Sequence, residues 1–347
     1  EEMDGNLEDV ANAIRKVASI TSDLTSSVSS VSDALDMYGL SGAYKEHLDL
    51  SKEQELLCGW GAIDRNGGFL PGEITVLIAR PKVGKSALLQ NLCANVMLRK
   101  PYRICLYFSL EMPLAQFFER WAQILTGQSR QFVRDNYTDQ VVLDRIVQLP
   151  GIRISRPKVA TLNSIYQISE DTKRKDGRLD LIGIDHADFV RLTDGGFSLA
   201  DRLRYMYIDL KRMAGELNVP IVVLHQGSRE QGEGTEPPTA SSARGSAGPE
   251  EVADLLLGAW RPGMDSEGAD ATALYLRAIV ARRMPPFTTQ LHFDPASLVI
   301  TDEQQRPQAE SQAQNQTPTP SLVPESNLVP FPAVSGACAD LTQIEEP

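Results

Sequence analysis

Residues 73–86, Glu-Ile-Thr-Val-Leu-Ile-Ala-Arg-Pro-Lys-Val-Gly-Lys-Ser, constrain this chain more than any other stretch. Ile74, Thr75, Val76, Leu77 and Ile78 form a short run rich in β-branched residues, which suits a strand buried on both faces of a parallel sheet. The run stops at Ala79 and reaches Gly84-Lys85-Ser86 after four intervening residues. A helical pattern follows at once, with Leu88, Leu89, Leu92, Val96 and Met97 on one stripe. Strand, tight loop and a helix opening on Gly-Lys-Ser is the context in which G-x-x-x-x-G-K-[ST] becomes a phosphate-binding loop.

The chemistry explains the spacing. Backbone N–H groups of such a loop, and of the helix it opens, point inward at partial positive charge, so phosphates are held by the main chain. The predicted cradle is Ala79, Arg80, Pro81, Lys82, Val83, Gly84, Lys85, Ser86 and Ala87. Lys85 is expected at the β- and γ-phosphates of ATP, and the Ser86 hydroxyl on Mg²⁺. The first glycine of the pattern is replaced by Ala79, which is tolerable where the backbone keeps a negative φ.

The net charge of −12 argues against a polynucleotide partner only until it is divided along the chain. Residues 1–50 hold 10 acidic and 3 basic side chains, and residues 303–347 hold 6 and 1, leaving 30 of each between. The acidity sits in the flanks, and the central region is free to present a basic surface. Cys58, Cys93, Cys105 and Cys338 show no paired spacing, which fits a reducing compartment. Four scattered histidines make a protein-ligated zinc site an unsuitable reading. No apolar run approaches the roughly 20 residues that span a bilayer, and no signal peptide is recognised, so a cytoplasmic protein without membrane contact is expected.

Residues 7–38 place Leu7, Val10, Ile14, Val17, Thr21, Leu24, Val28, Val31, Leu35 and Tyr38 at alternating three- and four-residue steps. This is a heptad pattern over a Ser/Thr-rich stretch, which fits a coiled coil or a single amphipathic helix on the core or on a neighbouring subunit. Gly59-Trp60-Gly61, Asp64, Gly67-Gly68 and Pro71-Gly72 read as turns. Strands are then expected at 103–109, 151–155, 180–185 and 219–224, with helices at 114–127, 139–148, 161–174 and 200–218. Segment 227–249 is Gly/Ser/Pro/Thr-rich and aperiodic, and strand-like runs return at 253–259, 273–280, 287–293 and 297–300. From Glu303 onward Gln, Pro, Ser and Thr dominate, which reads as a disordered tail. The division is thus a helical extension at 1–50, one α/β domain at 51–302 and an acidic tail.

Several of the predicted strands end in polar residues, which sets a site along one edge of a mostly parallel sheet. Asp185 is the expected support for the metal, and Glu111 the carboxylate that polarises the attacking water. Gln226, one strand further, is placed to sense the γ-phosphate. Candidate phosphate contacts for a polynucleotide are Arg191, Arg229 and Arg244, with Arg153, Arg156, Lys158 and Lys173-Arg174-Lys175 as further basic groups.

The run Ala79-Arg80-Pro81-x-x-Gly84-Lys85-Ser86, then Phe108-Ser109-Leu110-Glu111-Met112, then Asp180-Leu181-Ile182-x-Ile184-Asp185, then Glu216-Leu217-Asn218-Val219-Pro220 with Gln226 and Ser228-Arg229, resembles the RecA-like motor domain of DnaB-type replicative helicases. The likeness covers about residues 57–300. It implies a P-loop α/β fold, a hexameric ring that hydrolyses ATP at its subunit interfaces and movement along single-stranded DNA. The family's Arg-Glu-Ser-Gly-x-x-Glu-Gln-Asp-Ala-Asp segment looks like Arg244 to Asp254, with Arg244, Glu250, Ala253 and Asp254 matching. Its Lys-Gln-Arg-Asn-Gly-Pro segment, whose basic residues reach a neighbour's nucleotide, falls on Val280 to Pro285, keeping the arginine as Arg282 beside Arg283 and replacing the lysine by Val280. Only about 50 residues precede the motor here, so the usual N-terminal primase-binding collar is not expected. The residues 7–38 are a candidate subunit linker, and they and the tail are candidate contacts for other replication proteins. A phage- or plasmid-borne helicase in a bacterial host is the leading reading. A RecA-like recombinase, mediator or regulatory ring that does not unwind DNA, and a nucleotide-binding scaffold, remain as alternatives.

Overall fold

The computed structural model describes residues 55–302 apart from 148, 193–197, 228–236, 240–247 and 265–269. The heptad segment, the acidic tail, Arg229 and Arg244 lie outside the described residues. Nine strands form one sheet in the order β3-β2-β4-β5-β1-β6-β7-β8-β9. They are β1 Ile74–Ala79, β2 Cys105–Ser109, β3 Ile152–Ser155, β4 Leu181–Asp185, β5 Ile221–Gln226, β6 Leu255–Trp260, β7 Ala273–Ala281, β8 Thr288–Phe293 and β9 Ile300–Asp302. The first six are mutually parallel; β7, β8 and β9 add antiparallel to the β6 edge.

The helices are α1 Gly61–Asp64, α2 Lys85–Arg99, α3 Leu114–Thr126, α4 Arg130–Asp135, α5 Gln140–Val147, α6 Leu162–Asp176, α7 Leu199–Leu217 and α8 Gly248–Val252. Alternation along the strands assigns each side chain to a face. Leu77, Tyr107, Val222 and Leu224 join one core with α2 and α3. Ile74, Val76, Ile78, Phe108, Ile182, Ile184 and Val223 join the other with α7. A sheet buried on both faces needs apolar residues at every position, which is why β1 is buried throughout.

Four expectations change. The turn cluster at 59–64 contains the short helix α1, whose Asp64 accepts the N–H groups of Cys58 and Gly59 at 2.8 Å each. Helix α4, capped by Ser129, was hidden by its shortness and exposed polar residues. The last strand starts at Ile300, because Asp294 N–H donates to Val299 O and Leu298 N–H to Asp294 O, closing a turn over 294–299. Helix α2 is buried beyond a single stripe: Gln90, Asn91, Cys93 and Ala94 are inside as well. Its second side is covered by the chain near β9, where Asn91 Nδ2 donates to Leu298 O and Asn91 Oδ1 accepts from Ile300 N–H. Gly183 in β4 makes room for α2, since a Cβ there would come within 3.2 Å of Leu89.

Candidate nucleotide site

The register brings the polar strand ends to one level. Ala79 pairs with Gln226, and Ser109 with Asp185. A cavity of about 530 Å³ opens there, lined by residues of the 81–87 loop, Glu111, Met112, Pro113, Gln116, Arg120, His186, Gln226, Phe293 and Leu298. That volume falls in the range of small-molecule sites.

Ala79 keeps a negative φ, as an alanine must, and the left-handed turns of the loop fall on Lys82 (φ 68°) and Gly84 (φ 113°). The Ala79 carbonyl accepts from Gly227 N–H at 3.0 Å and from Lys85 Nζ at 2.9 Å; Arg80 O lies 3.5 Å from the same ammonium. Helix α2 then starts from Gly84 without a capping side chain or an acidic residue in its first turn. Its N-terminal donors and dipole are therefore left to an anion. Burial lowers the pKa of Lys85 against the opposing pull of Asp185, Asp188 and Glu111. Arg80 and Val83 shape the loop but do not line the cavity, and Val83 is packed into the core.

Asp185 is 1% exposed. Its Oδ2 accepts from the Tyr107 hydroxyl at 2.6 Å, while Oδ1 has no hydrogen-bond partner. Burial raises the Asp185 carboxyl, with Tyr107 and Ser86 working the other way as hydrogen-bond donors. A buried carboxylate with one orphaned oxygen beside a serine hydroxyl fits a hydrated Mg²⁺, which takes few protein ligands and keeps water and phosphate oxygens. Among the described residues no cluster of three or more His, Cys, Asp or Glu side chains is arranged to hold a metal by itself.

Glu111 is placed by backbone contacts: the N–H groups of Leu110 and Glu111 both donate to Asp185 O, at 2.8 and 3.3 Å. Ser109 Oγ closes the turn on Met112 O at 2.7 Å, which explains the need for serine ahead of Leu-Glu-Met. The Glu111 side chain stands 56% exposed in the cavity mouth.

Sequence reasoning missed Tyr107, His186, Asp188, Gln116 and Arg120. The last two sit at i and i+4 on the open face of α3, whose other face buries Phe117 and Trp121. Asp188 gave a signal in the polar run Asp185-His186-Ala187-Asp188 after a buried strand. Burial pushes the Asp188 carboxyl up, but the close His186 imidazole, the charges of His225 and His186, and the Gln226 N–H outweigh it and hold the pKa below its ordinary value.

Arg282 is not brought to this cavity. Strand β7 runs antiparallel to β6, so it ends at the opposite edge of the sheet, about 26 Å along for the eight steps of about 3.3 Å between its nine residues. There Arg282 N–H donates to Asp254 O at 3.0 Å, and its guanidinium to Glu251 O. Arg283 is bound within the chain, to Glu73 at 2.9 Å and Gly68 O at 2.8 Å. Arg191 is exposed beyond β4. Arg153 and Arg174 are paired with Asp176 and Asp171, and Lys173 donates to Leu217 O, which leaves them less free as phosphate contacts.

The profile of the DnaB-like helicase C terminal domain matches residues 56–298. The chain belongs to that family. It is 27% identical to the replicative DNA helicase DnaB of Pasteurella multocida over 222 residues, which is 61% of this chain and 47% of that one. It is 30% identical over 223 residues to a probable plasmid replicative DNA helicase of Chlamydia muridarum, covering 62% and 49%. The chain thus spans about half the length of these relatives. Its fold is shared with a solved DnaB-like replicative helicase, at a TM-score of 0.67 and 22% identity over 81% of this chain and 70% of that one. This DnaB-like, RecA-type architecture agrees with the α/β fold expected from the motifs.

Proposed function

We propose that this domain is the ATP- and Mg²⁺-dependent motor of a replicative DNA helicase, working as a homo-oligomer, a hexameric ring, on single-stranded DNA in the bacterial cytoplasm. One observation carries the reading. Lys85, Ser86, Glu111 and Gln226 line one cavity with Asp185 buried next to Ser86, while Arg282 lies at the other edge of the sheet. A cation at that edge serves a phosphate only in the next copy.

In this mechanism the 79–87 backbone and Lys85 hold the β- and γ-phosphates. Ser86 and Asp185 hold Mg²⁺, which neutralises charge on the phosphate oxygens when bound. Glu111, open to solvent, orients and deprotonates the attacking water. Gln226 stands where β5 passes into segment 227–249, so it is placed to report the γ-phosphate to a DNA-contacting loop containing Arg229 and Arg244, with Arg191 in the loop after β4 as a further contact. Residues 7–38 as a subunit linker, and both flanks as contacts for replication proteins, belong to the same proposal.

A mixing experiment tests the shared site. Lys85→Ala and Arg282→Ala each abolish DNA-stimulated ATP turnover and forked-duplex unwinding. Co-assembled, they regain part of both, because some interfaces pair an intact Lys85 with an intact Arg282. No recovery on mixing, or full turnover by a wild-type monomer, would overturn the reading.

A further inference from the structure

His186 follows Asp185 yet stays inside the protein, its side chain 6% exposed. Its two ring nitrogens face two carboxylates. Nε2 lies 3.4 Å from Glu111 Oε2, and Nδ1 lies 2.9 Å from Asp188 Oδ2. The same Asp188 oxygen accepts the Gln226 N–H at 3.3 Å. Phe189 meets the imidazole edge-on with ring centroids 4.8 Å apart, which limits rotation of the ring. The result is a run of close contacts from the end of β2, through the turn after β4, to the last residue of β5, in which Gln226 N–H donates to Asp188 and the buried Nδ1 stands within reach of the same carboxylate without meeting it at hydrogen-bonding geometry.

Such a series has a physical consequence. A half-exposed glutamate samples several rotamers, and only some of them aim a carboxylate oxygen at a water in line with a phosphate. Among the described residues, His186 is the side chain that stands against the Glu111 carboxylate. The group that orients His186 is in turn fastened to the backbone of Gln226, where the chain enters segment 227–249. Displacement of the β5 end moves Asp188, the imidazole and the glutamate in order.

We propose that His186, oriented by Asp188, is a positioning residue that ties the Glu111 carboxylate to the Gln226 backbone, so that turnover responds to the state of the β5 end. The inference rests on the ATPase reading above and adds the route by which the loop after β5 governs the water-activating group.

The test uses the full chain, with kcat and KM for ATP measured with and without single-stranded DNA, and affinity for a fluorescent ADP analogue. His186→Ala and Asp188→Asn each lower the DNA-stimulated kcat about tenfold, as a displaced catalytic group does, with KM and nucleotide affinity unchanged. The double variant is no slower than His186→Ala alone, because both act through one series. His186→Gln, whose amide nitrogen reaches about the Nε2 position, recovers part of kcat; His186→Asn, which reaches only the Nδ1 position, does not. Retained DNA-stimulated kcat in either single variant, multiplicative effects in the double, or a loss confined to KM would overturn the proposal. If His186→Ala fails to fold by thermal melting, Asp188→Asn and the Gln/Asn pair decide the question. A wild type without any ATP turnover defeats the ATPase reading instead.

Discussion

At the C-terminal ends of the parallel strands, Asp185 keeps a buried oxygen without a partner and Glu111 stands half in solvent. At the N-terminal ends of the same strands, carboxylates are used differently. Asp254, just before β6, accepts the Ile74 N–H at 2.8 Å and Lys211 Nζ at 2.6 Å. Asp180, just before β4, accepts the Ile104 N–H at 2.8 Å and Arg178 Nε at 2.8 Å. Each satisfies a backbone donor where a neighbouring strand begins and neutralises its own charge. Paired groups of this kind stabilise; unpaired ones hold binding capacity in reserve at a cost in stability. The carboxylates therefore divide two tasks between the edges, and substituting them at one edge or the other should give opposite signatures.

The largest effect is expected at the open edge. Glu111→Gln should lower ATP turnover by about 10²–10⁴-fold, the usual contribution of a general base, with an unchanged melting temperature because the side chain is exposed. A steady-state ATPase assay beside a thermal melt checks both halves.

The tied edge should respond in the reverse sense. Asp254→Ala leaves the Ile74 N–H and Lys211 without their carboxylate, and should cost about 2 kcal/mol, a few degrees in Tm. ATP turnover per folded domain should hold. A turnover loss exceeding the stability loss would show that Asp254 also acts on the chemistry, through its neighbour Arg282.

The smallest stability change sharpens the contrast by reversing sign. Asp185→Asn keeps an acceptor for Tyr107 but removes a buried charge, so in Mg²⁺-free buffer the variant should be more stable by about 1 kcal/mol and catalytically dead. Burial raises the Asp185 carboxyl, so the folded state holds its proton more tightly than the unfolded chain does. The stabilisation this brings is whole below the ordinary carboxylate pKa and is lost as pH rises through the raised one. The gap between variant and wild type should accordingly be small in acid and widen toward neutral pH, as read by denaturant titrations. A gap that narrows over that range would mean that Asp185 is stabilised when ionised.

Much of the site was legible because its residues stand next to strongly patterned segments. Lys85 and Ser86 follow β1 at the spacing of a tight turn that opens a helix, and Asp185 ends an uninterrupted apolar run. Tyr107 was not legible: within Cys-Leu-Tyr-Phe-Ser it reads as one more core aromatic, and its hydroxyl gains meaning only when β4 arrives beside β2. His186 has the same character, since a lone histidine after a strand says nothing of the two carboxylates flanking it. Helix α2 showed an apolar stripe, but Asn91 is held by the chain around β9, some 200 residues away.

Local order along the chain, meaning which residues extend, which coil and which turn carries the Gly-Lys-Ser, follows from the sequence by itself. Side-chain period and backbone freedom act over a few residues, so they are written into short stretches. The folded arrangement alone decided that β4 sits between β2 and β5, that Asp185 meets Tyr107, and that Arg282 faces away from the cavity of its own chain. Those outcomes depend on how two apolar faces of one sheet are covered at once, a condition met only by the whole domain.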